Sequence, residues 1–352
     1  MTKSTVRFIL VCALAILAGC NPRPAGVPSI PSPTPNTNGF SETEFATLNS
    51  LEQLDEYPLY TMHYFGAYPT EPTSFKDIRQ FVGMPAPSPS VACRVNWGCS
   101  LFAALGDDKS RLYGRNFDWQ YSPALLLFTD PPDGYASVSM VDIEYLDFSG
   151  ESAKNLADSP IDQRRRLLDA PFLPFDGMNE KGLAIGMAAV PAGNMQADPQ
   201  KGTIDQLMVI REILDHAATV DEAITILGSY NIDMGEVPIH YLVASASGES
   251  ALVEFYQGEM VVFRNESPWQ EATNFLVASM NGSPEGACWR YDRIHARLGQ
   301  TNGRINVQDA LRLLSNVSQD ITQWSVVYDM TGGSIHIVMG GEYGTVHTLN
   351  LR

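Results

Sequence analysis

The stretch Gly98-Cys99-Ser100-Leu101-Phe102 decides the fold, together with the segment Tyr113-Gly114-Arg115-Asn116-Phe117-Asp118-Trp119 that follows it. Between them lie the turn residues Gly106-Asp107-Asp108-Lys109. Apolar residues on both sides of a Gly-Asp turn predict a β-hairpin. Because a hairpin folds its two ends together, we expect the Cys99 thiol, the Arg115 guanidinium and the Asp118 carboxylate to share one small volume.

Length and composition predict a globular protein that binds no nucleic acid. The chain has 352 residues, of which 44% are hydrophobic, enough to fill a large core. Its formal net charge is -17, whereas a nucleic-acid partner requires clustered Lys and Arg. The six histidines are scattered, without metal-ligand spacing, and no Gly-rich phosphate loop is found. We therefore expect neither a metal ion nor another cofactor.

The first twenty residues have the features of an export signal. Lys3 and Arg7 precede an apolar run from Phe8 to Leu17, which is too short to span a membrane. Leu17-Ala18-Gly19-Cys20 resembles the bacterial lipoprotein signal, in which cleavage leaves Cys20 as the lipid-bearing N-terminus. The alternative is a plain secretory signal with a chance cysteine. Both predict export, and the first predicts a lipoprotein anchored to a membrane of the bacterial cell envelope through a lipid on Cys20.

The cysteine count predicts a free thiol. Cys12 and Cys20 belong to the signal, so Cys93, Cys99 and Cys288 remain, an odd number in an exported protein. At least one of the three has no intrachain partner, and we take it to be Cys99. A disulfide between Cys93 and Cys288 stays an open possibility, because sequence alone does not fix connectivity.

The remaining pattern predicts strands that are interrupted by two pairs of helices. A helix is expected from Ser41, which forms a capping box with Glu44. Later strands are predicted at 136–148, 183–190, 241–255, 260–263, 272–279, 324–328, 334–339 and 345–351. Helices are predicted at 204–217, from a capping box at Thr219, at 289–298, and at 307–314. This order indicates sheets with helices outside them.

Several ordered motifs point to one family. They are Gly98-Cys99-Ser100, Gly114-Arg115-Asn116-Phe117-Asp118-Trp119, Asn179-Glu180-Lys181-Gly182-Leu183, Thr273-Asn274, Trp289-Arg290-Tyr291 and Gln323-Trp324-Ser325-Val326-Val327-Tyr328-Asp329. Together they resemble the choloylglycine hydrolases, which include bile salt hydrolases and penicillin V acylases. That family is related to the acid ceramidase and N-acylethanolamine amidase group, and belongs to the N-terminal-nucleophile hydrolases.

The resemblance implies an α+β fold, a four-layered αββα sandwich, and hydrolysis of a linear amide C–N bond in an N-acylated substrate. The nucleophile would be Cys99, made the N-terminus by autoproteolysis of the Gly98-Cys99 bond. An α-amine titrates near about 8 and a free thiol near about 8.5, so the new amine can act as base toward the thiol. Arg115 would lower the thiol pKa further, and Asp118 would accept a hydrogen bond from the amine.

Two more residues match catalytic positions of the family. Asn274 matches the residue that helps to hold the tetrahedral oxyanion, and Arg290 matches the remaining active-site arginine, which would support the thiolate and order Asp118. One position departs from the pattern, because this chain has Ala189-Val190-Pro191 where bile salt hydrolases carry an asparagine. A backbone N–H would then have to complete the oxyanion hole, and bile-salt specificity is put in doubt.

This interpretation divides the chain into four parts. Residues 1–19 are the lipoprotein signal peptide, and 20–40 are a tether rich in Pro and Ser. Residues 41–98 are a propeptide or small subunit, whose aromatic segment at 57–65 we expect to dock on the main domain. Residues 99–352 are the catalytic αββα domain.

Plainer explanations and rival functions remain open at this point. Taken singly, Cys99 is typical of a buried strand cysteine, Arg115 and Asp118 of a structural ion pair, Asn274 of a turn, and Arg290 of a solvated helix. Cys99 with His240 would be a papain-like dyad, but the local papain signature is missing. The rival functions are an acyltransferase with the same nucleophile and an inactive anchored binding protein.

The substrate is expected to be a small N-acyl amide with an apolar acyl group. The run Ala124-Leu125-Leu126-Leu127-Phe128 either lines an apolar pocket for that group or forms a core strand.

Overall fold

Two β-sheets packed face to face form the centre of the computed structural model, which describes residues 39–69, 98–235 and 237–351. In chain order the strands are β1 (Glu52–Asp55), β2 (Leu59–Tyr64), β3 (Gly98–Ala104), β4 (Leu112–Asp118), β5 (Ala124–Thr129), β6 (Ser137–Asp142), β7 (Pro174–Asn179), β8 (Leu183–Ala189), β9 (Thr203–Asp205), β10 (Asn231–Asp233), β11 (Ile239–Ser245), β12 (Ser250–Tyr256), β13 (Glu259–Arg264), β14 (Trp269–Ala272), β15 (Thr322–Asp329), β16 (Ser334–Met339) and β17 (His347–Asn350). The α-helices are α1 (Glu42–Asn49), α2 (Met208–His216), α3 (Val220–Ser229), α4 (Trp289–Thr301) and α5 (Val307–Asn316). Segments of 3₁₀-helix include Ile143–Leu146, Ile161–Phe172 and Val277–Ser279.

The strands and helices form four layers. Within the described residues the larger sheet has nine strands, ordered β1-β2-β5-β6-β7-β8-β11-β12-β13, and the smaller has six, ordered β14-β3-β4-β15-β16-β17. The sheets face each other where β3 meets β8 and β11, and where β14 meets β12. Helices α2 and α3 cover the outer face of the larger sheet, and α4 and α5 cover that of the smaller. The expected α+β sandwich is therefore confirmed.

The hairpin at Cys99 is formed as predicted, at the centre of the smaller sheet. Strands β3 and β4 pair antiparallel, with Gly98 opposite Asp118 and Cys99 opposite Phe117. Every residue of both strands is buried, because one face packs on the larger sheet and the other on α4 and α5.

The described segment at 39–69 is part of the main fold. Helix α1 begins at the predicted capping box, in which the Ser41 side chain accepts from the Glu44 N–H and the Glu44 carboxylate accepts from the Ser41 N–H. Strand β2 pairs in parallel with β5, so the aromatic segment at 57–65 docks as expected. The predictions for 1–38 and 70–97, including the signal, Cys20 and Cys93, lie outside the described residues. Within those residues, no helix is both long and apolar enough to cross a bilayer.

Four predicted elements were wrong in extent. The strand expected at 136–148 ends at Asp142, whose side chain accepts from the Glu144 N–H and starts a 3₁₀ turn. The helix expected from 204 begins at 208, because 203–205 forms β9, which pairs with β10. The run 241–255 is a hairpin turning at Gly248, where φ is +97°. The strand expected at 272–279 ends at its first residue.

Candidate active site

The alternation of the β3–β4 hairpin places Cys99 and Arg115 on one face. Side chains two residues apart along a strand share a face, so Arg115 lies on the face of Phe117, which is directly opposite Cys99. The Arg115 Nη2 atom lies 3.6 Å from the Cys99 sulfur as a hydrogen-bond donor. This face packs on the larger sheet, and the Arg115 side chain is fully buried. The expected contact between thiol and guanidinium is present.

Arg115 is fixed by residues that the sequence did not indicate. Its Nη1 atom donates to the Phe175 carbonyl at 2.7 Å and forms a buried salt bridge with Asp176. The Tyr328 hydroxyl donates to the other carboxylate oxygen of Asp176. Burial alone would lower the pKa of Arg115, but Asp176 and Cys99 together outweigh it and raise that pKa. Arg115 is therefore charged and held toward the sulfur.

The surroundings of the Cys99 thiol disfavour its thiolate form. Burial raises the pKa of Cys99; the Arg115 charge opposes that effect, and the Asp118 carboxylate adds to it. The expected lowering by Arg115 is thus present but is outweighed by burial. Cys99 is also the free cysteine of the described residues, whereas Cys288 is disulfide-bonded.

Asp118 lies three residues from Arg115 and so points to the other face of the hairpin. There its carboxylate accepts hydrogen bonds from Thr322 Oγ1 at 2.6 Å and from Gln319 Nε2 at 2.7 Å. Arg290 Nη1 lies 3.6 Å from it. Burial raises the pKa of Asp118, against the lowering effect of Arg290. The single small volume expected from the hairpin is therefore two adjoining volumes on opposite faces.

Arg290, on the first turn of α4, grips the backbone of Cys99. Its Nη1 atom donates to the Cys99 carbonyl at 2.6 Å and to Ser100 Oγ at 3.1 Å. Its Nη2 atom donates to Asn274 Oδ1 at 2.8 Å. Burial lowers the pKa of Arg290, while Asp118 and Cys99 act in the opposite direction. Arg290 therefore orders Asp118 as expected, but it contacts the carbonyl of Cys99.

Asn274 follows β14 and binds the peptide nitrogen of Cys99. Its Oδ1 atom accepts from the Cys99 N–H at 2.8 Å, and its Nδ2 atom donates to the Ala189 carbonyl at 2.7 Å. A side-chain amide nitrogen carries two hydrogens, so a second donor remains. The peptide N–H of Cys99 is thus bound to Asn274, and the predicted hydrogen bond from a free α-amine to Asp118 stays a prediction.

The expectation of an oxyanion-hole N–H near Ala189-Val190 is wrong for Val190. Its N–H donates to the Pro238 carbonyl at 2.8 Å, because the pairing of β8 with β11 continues one residue beyond Ala189. The papain-like alternative finds no support, since His240 Nδ1 lies 3.2 Å from Glu254 Oε1 in a buried pair and its Nε2 atom has no hydrogen-bond partner within the described residues. Within the described residues, no cluster of three or more His, Cys, Asp or Glu side chains is arranged to hold a metal ion.

Gly98 is enclosed by the same polar groups. A Cβ atom at this position would lie 2.7 Å from Asn274 Oδ1 and 2.9 Å from Arg290 Nη2. Both distances are shorter than real Cβ contacts, so a side chain at this position would displace Asn274 or Arg290. Gly98, Cys99, Asn274 and Arg290 therefore form one packed unit around a single peptide bond.

Comparison with known families agrees with this arrangement. Residues 99–274, half of the chain, match the linear amide C-N hydrolases, choloylglycine hydrolase family. The chain belongs to this family. As a choloylglycine hydrolase family member, it is an amide-hydrolysing enzyme.

Two solved structures show the same fold at low sequence identity. Two variants of the conjugated bile acid hydrolase from Clostridium perfringens match with TM-scores of 0.51 and 0.52, each at 17% identity. Each match covers 72% of this chain and 92% of the bile acid hydrolase chain. Penicillin V acylase from Agrobacterium tumefaciens matches with a TM-score of 0.49 at 16% identity, over 72% of this chain and 86% of its own.

In this choloylglycine hydrolase family member an apolar pocket opens beside Cys99. Its empty volume, part of which is open to solvent, is about 610 Å³. The described residues that line it with Gly98 and Cys99 are Phe117, Trp119, Tyr145, Phe175, Met187, Ala189, Gln206, Leu207, Met234, Val237 and Ile239. The run 124–128 is not among them and forms the buried core strand β5, so the core-strand alternative is confirmed for it.

Proposed function

We propose that the protein hydrolyses a linear amide with the N-terminal thiol of Cys99, after the chain has cut itself between Gly98 and Cys99. The observation that carries the proposal is the grip on this one peptide bond. Asn274 holds its N–H, Arg290 holds the following carbonyl, and Arg115 faces the sulfur. A structural cysteine needs none of these three contacts.

In the cutting step, the Cys99 sulfur adds to the Gly98 carbonyl carbon and the Gly98–Cys99 C–N bond breaks. The thiol proton moves to the Cys99 nitrogen, which becomes an α-amine, and the Gly98 acyl group is left on sulfur as a thioester. Water then hydrolyses the thioester, which leaves a carboxylate on Gly98 and a free thiol on Cys99. Asp118, which lies beside Arg290 on the opposite face of the hairpin, would accept a hydrogen bond from the new α-amine and orient it.

In the hydrolytic step the new α-amine takes the thiol proton as sulfur attacks the substrate carbonyl. The second hydrogen of Asn274 Nδ2 donates to the oxyanion, and the amine returns the proton to the leaving amine. Water hydrolyses the resulting thioester. The net reaction converts an N-acyl amide and water to a carboxylic acid and an amine. The apolar pocket beside Cys99 favours an apolar acyl group.

The proposal extends to the rest of the chain. Residues 1–19 would be a signal peptide, and Cys20 would carry a lipid that anchors the protein in the bacterial cell envelope. After the cut, the segment from 41 to 98 would be a small subunit. Strand β2, which is buried in the larger sheet, would keep that subunit attached to the catalytic domain at 99–352.

Mass analysis of the purified protein tests the cut. Wild type is expected to yield a fragment that begins at Cys99, and Cys99→Ala a single uncut chain. A wild-type protein that stays uncut and still hydrolyses amides would overturn the mechanism.

The processed form is then assayed with penicillin V and N-acyl amides, with and without an acceptor amine. Free acid supports the hydrolase, a transferred acyl group the acyltransferase, and binding without turnover an inactive binding protein.

A further inference from the structure

One polar side chain in the apolar pocket has no role in the proposed chemistry. Gln206 lines the pocket together with Cys99 and is only 6% exposed. Its amide oxygen Oε1 is buried and has no hydrogen-bond partner within the described residues. An unpartnered buried acceptor is costly, so such groups require an explanation. Because Gln206 lines the pocket, a bound ligand that donates a hydrogen bond to Oε1 would explain this unpartnered acceptor.

The backbone of Gln206 is fixed, so its side chain has a defined origin. Its N–H donates to the Asp233 carbonyl at 3.1 Å, and its carbonyl accepts from the Tyr241 hydroxyl at 2.8 Å. Helix α2 begins at Met208, and its N-cap is the pocket residue Leu207. These bonds leave only the side chain of Gln206 to adjust to a ligand.

We propose that Gln206 determines specificity by accepting a hydrogen bond from a hydroxyl group on the acyl chain of the substrate. The inference rests on the proposed hydrolysis by Cys99, because it places the acyl chain in the pocket. No charged side chain is found among the described lining residues, so a charged acyl group would be buried without a partner. A hydroxyl on the acyl chain presents one polar atom to the single carboxamide of Gln206. An amide group in the acyl chain would present two polar atoms to it. An oxo group would place an acceptor against the unpartnered acceptor.

The test compares chromogenic hexanoyl anilides whose chains are unsubstituted or carry a hydroxyl or an oxo group at the third, fourth or fifth carbon. Processed wild type is expected to prefer one hydroxyl isomer over the unsubstituted chain by about tenfold in kcat/KM. Gln206→Met keeps the length of the side chain but removes its polar atoms, and should abolish that preference while it still hydrolyses the unsubstituted chain.

Gln270→Met is the matched control. Gln270 also has a buried Oε1 without a partner within the described residues, but it lies on β14 and does not line the pocket. The control should keep the wild-type preference. Equal preference in wild type and Gln206→Met, or a preference for an oxo isomer, would overturn the inference while the proposed function stands. If no anilide and no other amide is hydrolysed by the processed protein, the proposed function fails and the inference with it.

Discussion

The Nη2 atom of Arg290 and the Oδ1 atom of Asn274 are joined by a 2.8 Å hydrogen bond that leaves no room for a side chain at Gly98. Arg290 binds the carbonyl of Cys99, and Asn274 binds its N–H. Both contacts lie on the Cys99 side of the bond that we propose is cut. The side chains that fill the space around Gly98 are therefore the same ones that hold the proposed cleavage site.

Gly98→Ala should impair the cut. The new methyl group would displace Asn274 or Arg290, and overpacking of this kind costs about 1–3 kcal/mol. If that cost is added to the activation free energy of cleavage, the cleavage rate decreases roughly tenfold or more. The measurement is the fraction of chain cut with time after refolding, read on a denaturing gel.

Gly344→Ala serves as the control for this substitution. A Cβ at Gly344 meets no atom within 4 Å, so the variant should be cut at the wild-type rate. Cleavage of Gly98→Ala at that same rate would contradict the tight grip on Cys99.

The hairpin, the capped helices and the site residues could be predicted because their signals are local. The turn at Gly106 to Lys109 fixes the register that brings Arg115 to Cys99, and the capping boxes at Ser41 and Thr219 mark where α1 and α3 begin. Asn274 and Arg290 were found only through their motifs, since 175 residues separate Cys99 from Asn274.

The supporting residues could not be predicted, because their contacts depend on strands that are distant in sequence. Thr322 reaches Asp118 because β15 pairs with β4 in a register that places the two residues opposite each other. Asp176 reaches Arg115 because the two sheets are stacked, and nothing near Asp176 in sequence indicates which arginine it will meet. Gln206 likewise lines the pocket together with residues of β4, β7, β8 and β11, and nothing near Gln206 in sequence indicates these neighbours.

Asp176→Asn should destabilise the protein by about 3–5 kcal/mol, because it leaves the Arg115 charge buried without its counter-ion. Both side chains are fully buried in the native protein. The measurement is urea unfolding in the uncut Cys99→Ala background, so that one chain unfolds. Asp221→Asn removes an exposed partner of Arg264, and should change stability by less than about 1 kcal/mol. Equal effects of the two substitutions would contradict the assigned role of Asp176.

Asp142 should make the protein less stable as the pH rises toward neutrality. Burial raises the pKa of Asp142 to about 7, against the lowering effects of hydrogen bonds from Ser122 and the Glu144 backbone. Unfolded, an aspartate titrates near about 3.9. Between these values the folded protein keeps a proton that the unfolded chain has released, so the free energy of unfolding falls over about pH 4 to 7 and then levels off.

Asp142→Asn should remove this loss, which amounts to about 4 kcal/mol at most. The amide oxygen still accepts from the Glu144 N–H, as the carboxylate does at 3.0 Å. The variant should match the parent at pH 4 and exceed its free energy of unfolding at pH 8. Asp108→Asn, which removes the same charge from an exposed turn, should not reproduce the effect. A gain of the same size at both pH values would show that the charge of Asp142 is not its cause.

The two pieces of a cut chain should stay associated in native buffer. Strand β2 is held between β1 and β5, and its Leu59, Tyr60 and Met62 side chains are fully buried. The Tyr60 hydroxyl also donates to the Ala153 carbonyl at 2.6 Å, across the proposed cut. Removing this strand would expose the edge of β5 together with its apolar face, which water disfavours.

Size-exclusion chromatography of the processed protein in native buffer with reductant, which opens the disulfide of Cys288, should therefore give one peak that contains both fragments, and only denaturant should separate them. Met62→Asp buries a charge in the interface and should release the small fragment or prevent its docking. His63→Asp adds the same charge one residue later, where the strand alternation exposes the side chain, and should leave the fragments together. Fragments that separate from the wild-type protein in native buffer would show that β2 does not hold them, and a lipid on Cys20 would then not anchor the catalytic domain.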